Sequence, residues 1–488
     1  MARFQKIEDL MEKSSKNPKL LAESINSSSE GIDRISYVPD DILHNILSSL
    51  YIFDVVKLGI LSKRWNYIWR TMPYLHFDII RFGNERINRP WDWEMVKTFN
   101  DFIHWVFISQ CANNLVCFKL YCGNLFDEGA IFRWVRVAIR RNVQELVLSF
   151  GPTEPFELPY CVATSESLRV LKLQLNGAIL KVPNHMGFSQ LKLLHLVGVE
   201  LSNEHLTSCL FSKCPVLEKL ILGDCTFGTM TVLDIASTSL IYVSLLNYAN
   251  YAESYSNCNI KISCPNLKVL KYGAPMAKNI IIESLFSIEV VNLFFFDAHG
   301  LIKEIGMCVL KMIKNVPSTS ALKLCMASVS GLYNVTHGLR NFPVTFYKLK
   351  SLKLKVAIDD ICMEVMMLLL KHSPNLEVLS LFSDEIDGWD ENWKLHEPSE
   401  SFMCLESHLK SIKLAGFKYD DNEMELLRFF LKNAHVLEKL IIVWDDPADI
   451  SEEASEEVLK FPRTSSHVVA TFLDVNSKSR SRYRYNVV

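Results

Sequence analysis

The chain has 488 residues, of which 49 % are apolar and 22 % charged, with a formal net charge of −3 and a pI near 6.5. That composition suits a buried core and excludes an intrinsically disordered chain, while the near-neutral balance gives no whole-chain attraction to nucleic acid or anionic membrane. The opening MARFQKIEDLMEKSSKNPK has no apolar signal region and no apolar run reaches the ~18 residues of a membrane helix, so a soluble chain of the nucleus and/or cytoplasm is expected.

In chain order, residues 1–32 are polar and serine-rich and read as a flexible arm. Residues 33–80 read as a three-helix module. Pro39 stands where a helix begins, followed by the carboxylates Asp40 and Asp41. Ile42, Leu43, Ile46, Leu47 and Leu50 then recur at helical spacing. A second short helix is expected from Asp54, with Val55, Val56 and Leu58, and Ser62 can cap a third that carries Arg64, Trp65, Ile68 and Trp69. So many large apolar side chains exceed what so small a core consumes, which implies a partner over some of them. In residues 81–142, Trp91, Trp93, Phe99, Phe102, Trp105 and Phe107 fit a helix that packs this module against the next region.

From Val143 the chain is periodic. Segments of the form L-x-x-L-x-L begin at Val143, Leu168, Leu191, Leu217, Leu240, Leu267, Ile288, Leu349, Leu376, Leu409 and Leu437, with a weaker copy around Leu322. Successive copies start from 21 residues apart (Leu267 to Ile288) to 33 apart (Leu376 to Leu409), which brackets the leucine-rich-repeat period. The fourth and sixth positions should point inward and the fifth outward, as strands require. Helix-like stretches such as NEHLTSCLFSKC and MEVMMLLLKHS lie between strands, and Pro215, Pro265 and Pro374 are expected to stop a helix just before a strand. Such units must stack, giving an α/β solenoid: a curved array with a parallel inner sheet over residues 143–400, an acidic insertion at 383–400, further repeats in 401–475 and a basic tail at 476–488.

The N-terminal module resembles an F-box. Val38-Pro39-Asp40-Asp41 stands at the family's Leu-Pro-x-x opening, and Leu61-Ser62-Lys63-Arg64-Trp65 with Trp69 matches the Leu-Ser-Lys-Arg-Trp block of plant members; Tyr51-Ile52 replaces the usual Pro-Thr. The resemblance implies docking to a Skp-type adaptor, and through it a cullin ubiquitin ligase, with Val38, Pro39, Ile42, Ile46, Leu47, Leu50, Leu61 and Trp65 as adaptor-binding residues. From about Phe402, the run HLKSIKLAGFKYDDNEMELLRFFLKNAHVLEKLIIVW and the later EEVLKFPRTSS are similar to the FBD domain that closes many plant F-box proteins, read here as a C-terminal cap. The whole is identified as a member of the plant F-box/leucine-rich-repeat proteins with a C-terminal FBD domain.

No catalytic or nucleotide-binding motif is present, and thirteen scattered cysteines without a C-x-x-C pair read as buried reduced thiols. We therefore expect a non-catalytic chain with no metal and no cofactor. The outward strand positions nominate a substrate face of Lys172, His195, Lys219, Tyr242, Lys271, Asn292, Lys323, Lys353, Lys355, Lys413 and Lys439, and the one carboxylate on that face is Glu145. A face so rich in lysine should prefer an acidic or phosphorylated protein segment, or an inositol-phosphate-like anion. Three functions remain open: substrate recognition for a ubiquitin ligase, a repeat-based scaffold that does not support ubiquitination, and a small-molecule co-receptor.

Overall fold

The computed structural model describes residues 37–83, 93–123, 126–183, 187–202, 213–247, 255–273, 276–283, 285–295, 300–337, 342–383, 402–445 and 448–474. The expected arm, basic tail and Trp91, most of the NEHLTSCLFSKC stretch and nearly all of the acidic insertion lie outside them. The chain divides into two compact units, one ending at Thr229 and the other starting at Met230.

The first unit opens with three short helices, α1 (Asp40–Leu47), α2 (Ile52–Leu58) and α3 (Lys63–Thr71). Pro39 is the N-cap of α1, its carbonyl accepting from Ile42 N and Leu43 N at 3.1 Å. Ser62 caps α3 by accepting from Trp65 N at 3.3 Å. Helix α2 starts two residues earlier than Asp54, because Ile52 is buried and Tyr51 caps it with φ −70°, close to the angle a proline would fix. Tyr51-Ile52 thus keeps the turn that Pro-Thr would form. Arg64 ties the helices together, donating to Val38 O and pairing with Asp40 at 3.1 Å.

After these come β1 (Tyr74–Asp78), α4 (Ile79–Gly83), α5 (Trp93–Ser109), β2 (Cys117–Gly123), α6 (Glu128–Arg140), β3 (Glu145–Phe150), β4 (Phe156–Glu157), α7 (Tyr160–Ala163), β5 (Val170–Lys181), β6 (Leu193–Glu200) and β7 (Lys219–Gly223). Strands β1, β2, β3, β5, β6 and β7 pair in that order, all parallel. Helix α5 packs between the three-helix module and the sheet. Phe99, Phe102 and Phe107 are buried, Trp105 stacks on the fully buried Trp69, and Gln110 donates to Trp69 O and Met72 O. Trp93 is the exception and is exposed.

The sheet begins two strands before Val143. Met72 just before β1 with Leu75 and Phe77 in it, and Leu115 just before β2 with Phe118 and Leu120 in it, occupy the inward places that leucine holds in later copies, and all are at most 1 % exposed. Met and Phe fill the same volume, so the repeat persists after its leucine signature has faded.

The second unit contains β8 (Val232–Ala236), β9 (Tyr242–Leu246), β10 (Tyr255–Ser263), β11 (Val269–Gly273), β12 (Met276–Glu283), β13 (Val290–Leu293), α8 (Ile302–Lys314), β14 (Ala321–Leu324), α9 (Met326–Thr336), β15 (Ser351–Val356), α10 (Asp360–Lys371), β16 (Val378–Ser383), α11 (Met403–Ser407), β17 (Ser411–Phe417), α12 (Asp421–Asn433), β18 (Lys439–Trp444), α13 (Ala448–Lys460) and β19 (Val469–Asp474). The run β9-β11-β13-β14-β15-β16-β17-β18-β19 is parallel throughout. In both units this is the strand-and-return alternation of an α/β leucine-rich-repeat solenoid, and the region similar to an FBD domain continues it as β17, α12, β18, α13 and β19.

One expectation needs correction. In the early repeats of this unit the returns are strands, and β12, β10 and β8 form a second parallel sheet. Pro265 therefore follows a strand and stops no helix. Segments such as NCNIKIS alternate with period two, which suits a strand rather than a helix. What Pro215, Pro265 and Pro374 share is a tight turn: Leu217 N, Leu267 N and Leu376 N donate back to Cys214 O, Cys264 O and Ser373 O at 3.1, 3.1 and 3.2 Å. Later returns are helices, and aspartate opens two of them. Asp359 caps α10, accepting from Cys362 N at 2.7 Å, and Asp420 opens α12 in a capping box with Glu423.

Candidate docking and recognition surfaces

The apolar stripe of α1 is divided between two jobs. Leu43 and Leu47 are 3 % and 5 % exposed and form core, whereas Ile42 and Ile46, each one position before them, and Leu50, just past the helix, are 50 %, 60 % and 41 % exposed. Leu61 is 63 % exposed and Pro39 is also exposed; Val38 and Trp65 are half-buried. Of the eight residues carried over for adaptor binding, seven thus retain accessible surface. Leu47 does not: residues four apart lie on one helix face, and Leu43 already commits that face to the interior. An apolar group of Ile42, Ile46, Leu50 and Leu61 at this level of exposure is costly unless covered.

Along the sheets, strand alternation places each nominated recognition residue. In the first unit, His76, Lys119, Val147, Lys172, His195 and Ile221 stand opposite one another at the same level. The two lysines there share one carboxylate: Glu145 lies 3.7 Å from Lys119 and 3.6 Å from Lys172. Lys219 stands one position lower, opposite Leu193. In the second unit the matching level reads Lys271, Asn292, Lys323, Lys353, Ser380, Lys413 on adjacent strands. Lys355 is one outward position above, opposite Phe382, while Tyr242 and Lys439 are one below. Lys271 and Lys323 sit over the rings of Tyr242 and Phe294 at 5.5 and 4.8 Å. Burial, followed by the charges of Lys353 and Lys271, lowers the pKa of Lys323.

A different pattern occupies the second position of the repeat motif. There Lys192–Glu218, Lys268–Glu289, Lys350–Glu377 and Lys410–Glu438 pair between successive repeats at 2.7, 3.2, 2.9 and 3.7 Å. Three of these residues, Glu289, Lys350 and Glu377, line an open depression that also holds Phe286, Tyr347 and His408. Their charges are satisfied locally, so they offer little to an ionic ligand.

Burial pushes the Cys117, Cys122, Cys214, Cys225 and Cys362 thiols up to about 12, the reverse of what a nucleophilic cysteine requires. Among the described residues no group of three His, Cys, Asp or Glu could hold a metal ion, and no helix is long and apolar enough to cross a membrane.

His76 stands alone in the sequence and carries no motif, and only the fold shows its setting. It is 8 % exposed, and burial followed by Lys119 lowers its pKa to about 4. The folded chain therefore keeps it neutral where the unfolded chain gains a proton, so the native state loses stability as pH falls from 6.5 toward 4. By pH 4.5 the loss is about 2.5 kcal/mol at 1.36 kcal/mol per pH unit. Urea unfolding at pH 7 and 4.5 should show a drop smaller by about that amount in His76→Gln; equal drops in both chains would refute the assignment.

Comparison with known proteins agrees with this arrangement. The family described as At1g61320/AtMIF1, LRR domain, matches residues 109–465, and the F-box domain family matches residues 35–77. The chain is 29 % identical over 426 residues to the putative FBD-associated F-box protein At3g50710 of Arabidopsis thaliana, covering 83 % of this chain and 91 % of that one. It is 26 % identical over 442 residues to the F-box/FBD/LRR-repeat protein At5g56420 of the same plant, covering 89 % and 97 %. F-box/LRR-repeat protein 13, also of Arabidopsis thaliana, is 26 % identical over 473 residues, covering 90 % and 97 %. These domains support an adaptor-like role in ubiquitin ligation. The chain belongs to the At1g61320/AtMIF1 leucine-rich-repeat family and is a plant F-box/leucine-rich-repeat protein with an FBD region.

Proposed function

We propose that this chain is the substrate-recognition subunit of a Skp–cullin–F-box ubiquitin ligase, working in the nucleus and/or cytoplasm. The observation that carries the reading is the exposed apolar group of Ile42, Ile46, Leu50 and Leu61, set on the helices and turns of a module that Trp69 and Gln110 lock to α5 and the sheet. An adaptor helix over that face would bury the apolar surface and hold the chain at a fixed attitude to the ligase core. The repeats would then present a target protein at high effective concentration to the transferring subunits, and this chain would supply geometry rather than chemistry.

The test is co-expression with a Skp-type adaptor, followed by ubiquitin transfer with the reconstituted cullin core onto proteins the repeats capture after proteasome inhibition. The expected result is a stable one-to-one adaptor complex and ubiquitin chains on the captured proteins. A chain that captures proteins but recruits no adaptor at micromolar concentration would be a scaffold instead.

A further inference from the structure

The lysine row of the second unit has the form of a binding site for an anion, and it deepens the substrate-recognition reading on which it rests. Lys271, Asn292, Lys323, Lys353, Ser380 and Lys413 stand side by side on β11, β13, β14, β15, β16 and β17. No carboxylate occurs at any outward position of these six strands, either in the row or in the places immediately above and below it. Among the described residues, no acidic side chain pairs with Lys271, Lys323 or Lys353. In the first unit, by contrast, Glu145 bridges Lys119 and Lys172. Lys323 and Lys353 face each other directly across adjacent strands, an arrangement that is destabilising for like charges. Burial lowers the pKa of Lys323, and the neighbouring charges of Lys353 and Lys271 lower it further. A sheet that merely kept its surface wet would not need to oppose lysine with lysine.

We propose that this row binds an extended, carboxylate-rich segment of the target protein that runs across the strands. The geometry favours a line of charges over a single one. Strands lie ~4.8 Å apart, so the five intervals from Lys271 to Lys413 span about 24 Å, the length of roughly seven extended residues. A lone phosphate would instead require converging donors, typically an arginine fork or a nest of backbone N–H groups, and the row holds no arginine. Phe294 and Phe382, half-buried at the level above, offer apolar contact beside the charges. A single-file row with an aromatic border suits a peptide better than a flat anionic surface.

The probe is a fluorescein-labelled heptapeptide of alternating Glu and Asp, titrated into the full-length chain purified by itself. A Gln/Asn heptapeptide and a neutral heptapeptide carrying one phosphoserine serve as comparisons. Tight binding only of the acidic peptide, weakened by salt and lost by about tenfold or more in Lys323→Gln plus Lys353→Gln, supports the row. Lys350→Gln plus Lys410→Gln, which removes lysines paired with Glu377 and Glu438, should leave binding within about twofold. Equal binding of the Gln/Asn peptide, preference for the single phosphate, or indifference to the row variant would each overturn the proposal. Adaptor capture is read on the same preparations. Loss of capture by the unmodified chain would reject the ligase reading while leaving the peptide result to stand or fall by itself.

Discussion

Replacing both Ile46 and Leu61 by glutamate should abolish capture of a Skp-type adaptor, weakening it by roughly a thousandfold or more. Each side chain is more than half exposed, at 60 % and 63 %, so neither substitution disturbs the module's own core. In the complex each would place an unpaired carboxylate in an apolar contact. Together these cost about 4 kcal/mol or more, and 1.4 kcal/mol corresponds to a factor of ten. The thermal midpoint of the free chain should stay within a degree or two. Leu47→Ala gives the opposite result, because Leu47 is 5 % exposed and faces inward with Leu43. It should lose about 2–3 kcal/mol of stability, with adaptor binding by the chains that remain folded little changed. Size-exclusion chromatography with the adaptor, alongside urea unfolding, separates the two effects. Survival of the adaptor complex in the double glutamate variant would remove the docking face from consideration.

The second large effect is expected at Gly306, where α8 meets α9 backbone to backbone. A Cβ at Gly306 would lie 1.9 Å from the carbonyl oxygen of Gly331, and one at Gly331 would lie 2.7 Å from Gly306 N. Ordinary contact needs about 3.4 Å, and neither atom belongs to a side chain that could turn aside. Gly306→Ala must therefore part the two helices by about 1.5 Å and loosen the packing around the buried Val309 and Leu332. The expected loss is about 4 kcal/mol, read as a lower urea midpoint. Gly187→Ala is the control: its Cβ meets open space, and it should be neutral or slightly stabilising. If the two variants unfold alike, the glycine contact does not set the helix spacing.

Much of the architecture could be read from residues because each clue was local. Pro39, Asp40 and Ser62 mark helix starts, and the fourth and sixth places of each repeat mark the inner face of a strand. The same local logic failed wherever two elements had to be seen together. Helical spacing grouped Ile42, Leu43, Ile46, Leu47 and Leu50 as one stripe, and only the packing of α1 on its neighbours divided it into a core half and a docking half. Leucine counting placed the start of the array at Val143, because Met72, Phe77 and Phe118 fill leucine's space without its letter.

The sequence by itself determined that this chain is a helical docking module joined to stacked parallel repeats, since helical and strand periods and capping chemistry are properties of short segments. It also supplied lysine at the outward positions. The tertiary structure decided what those lysines are worth, because charge pairing depends on which strands become neighbours. Glu145 reaches Lys119 and Lys172 only because β2, β3 and β5 stand side by side. On β11 to β17 the same stacking brings lysine to lysine and leaves a row of positive charge that no single repeat could reveal.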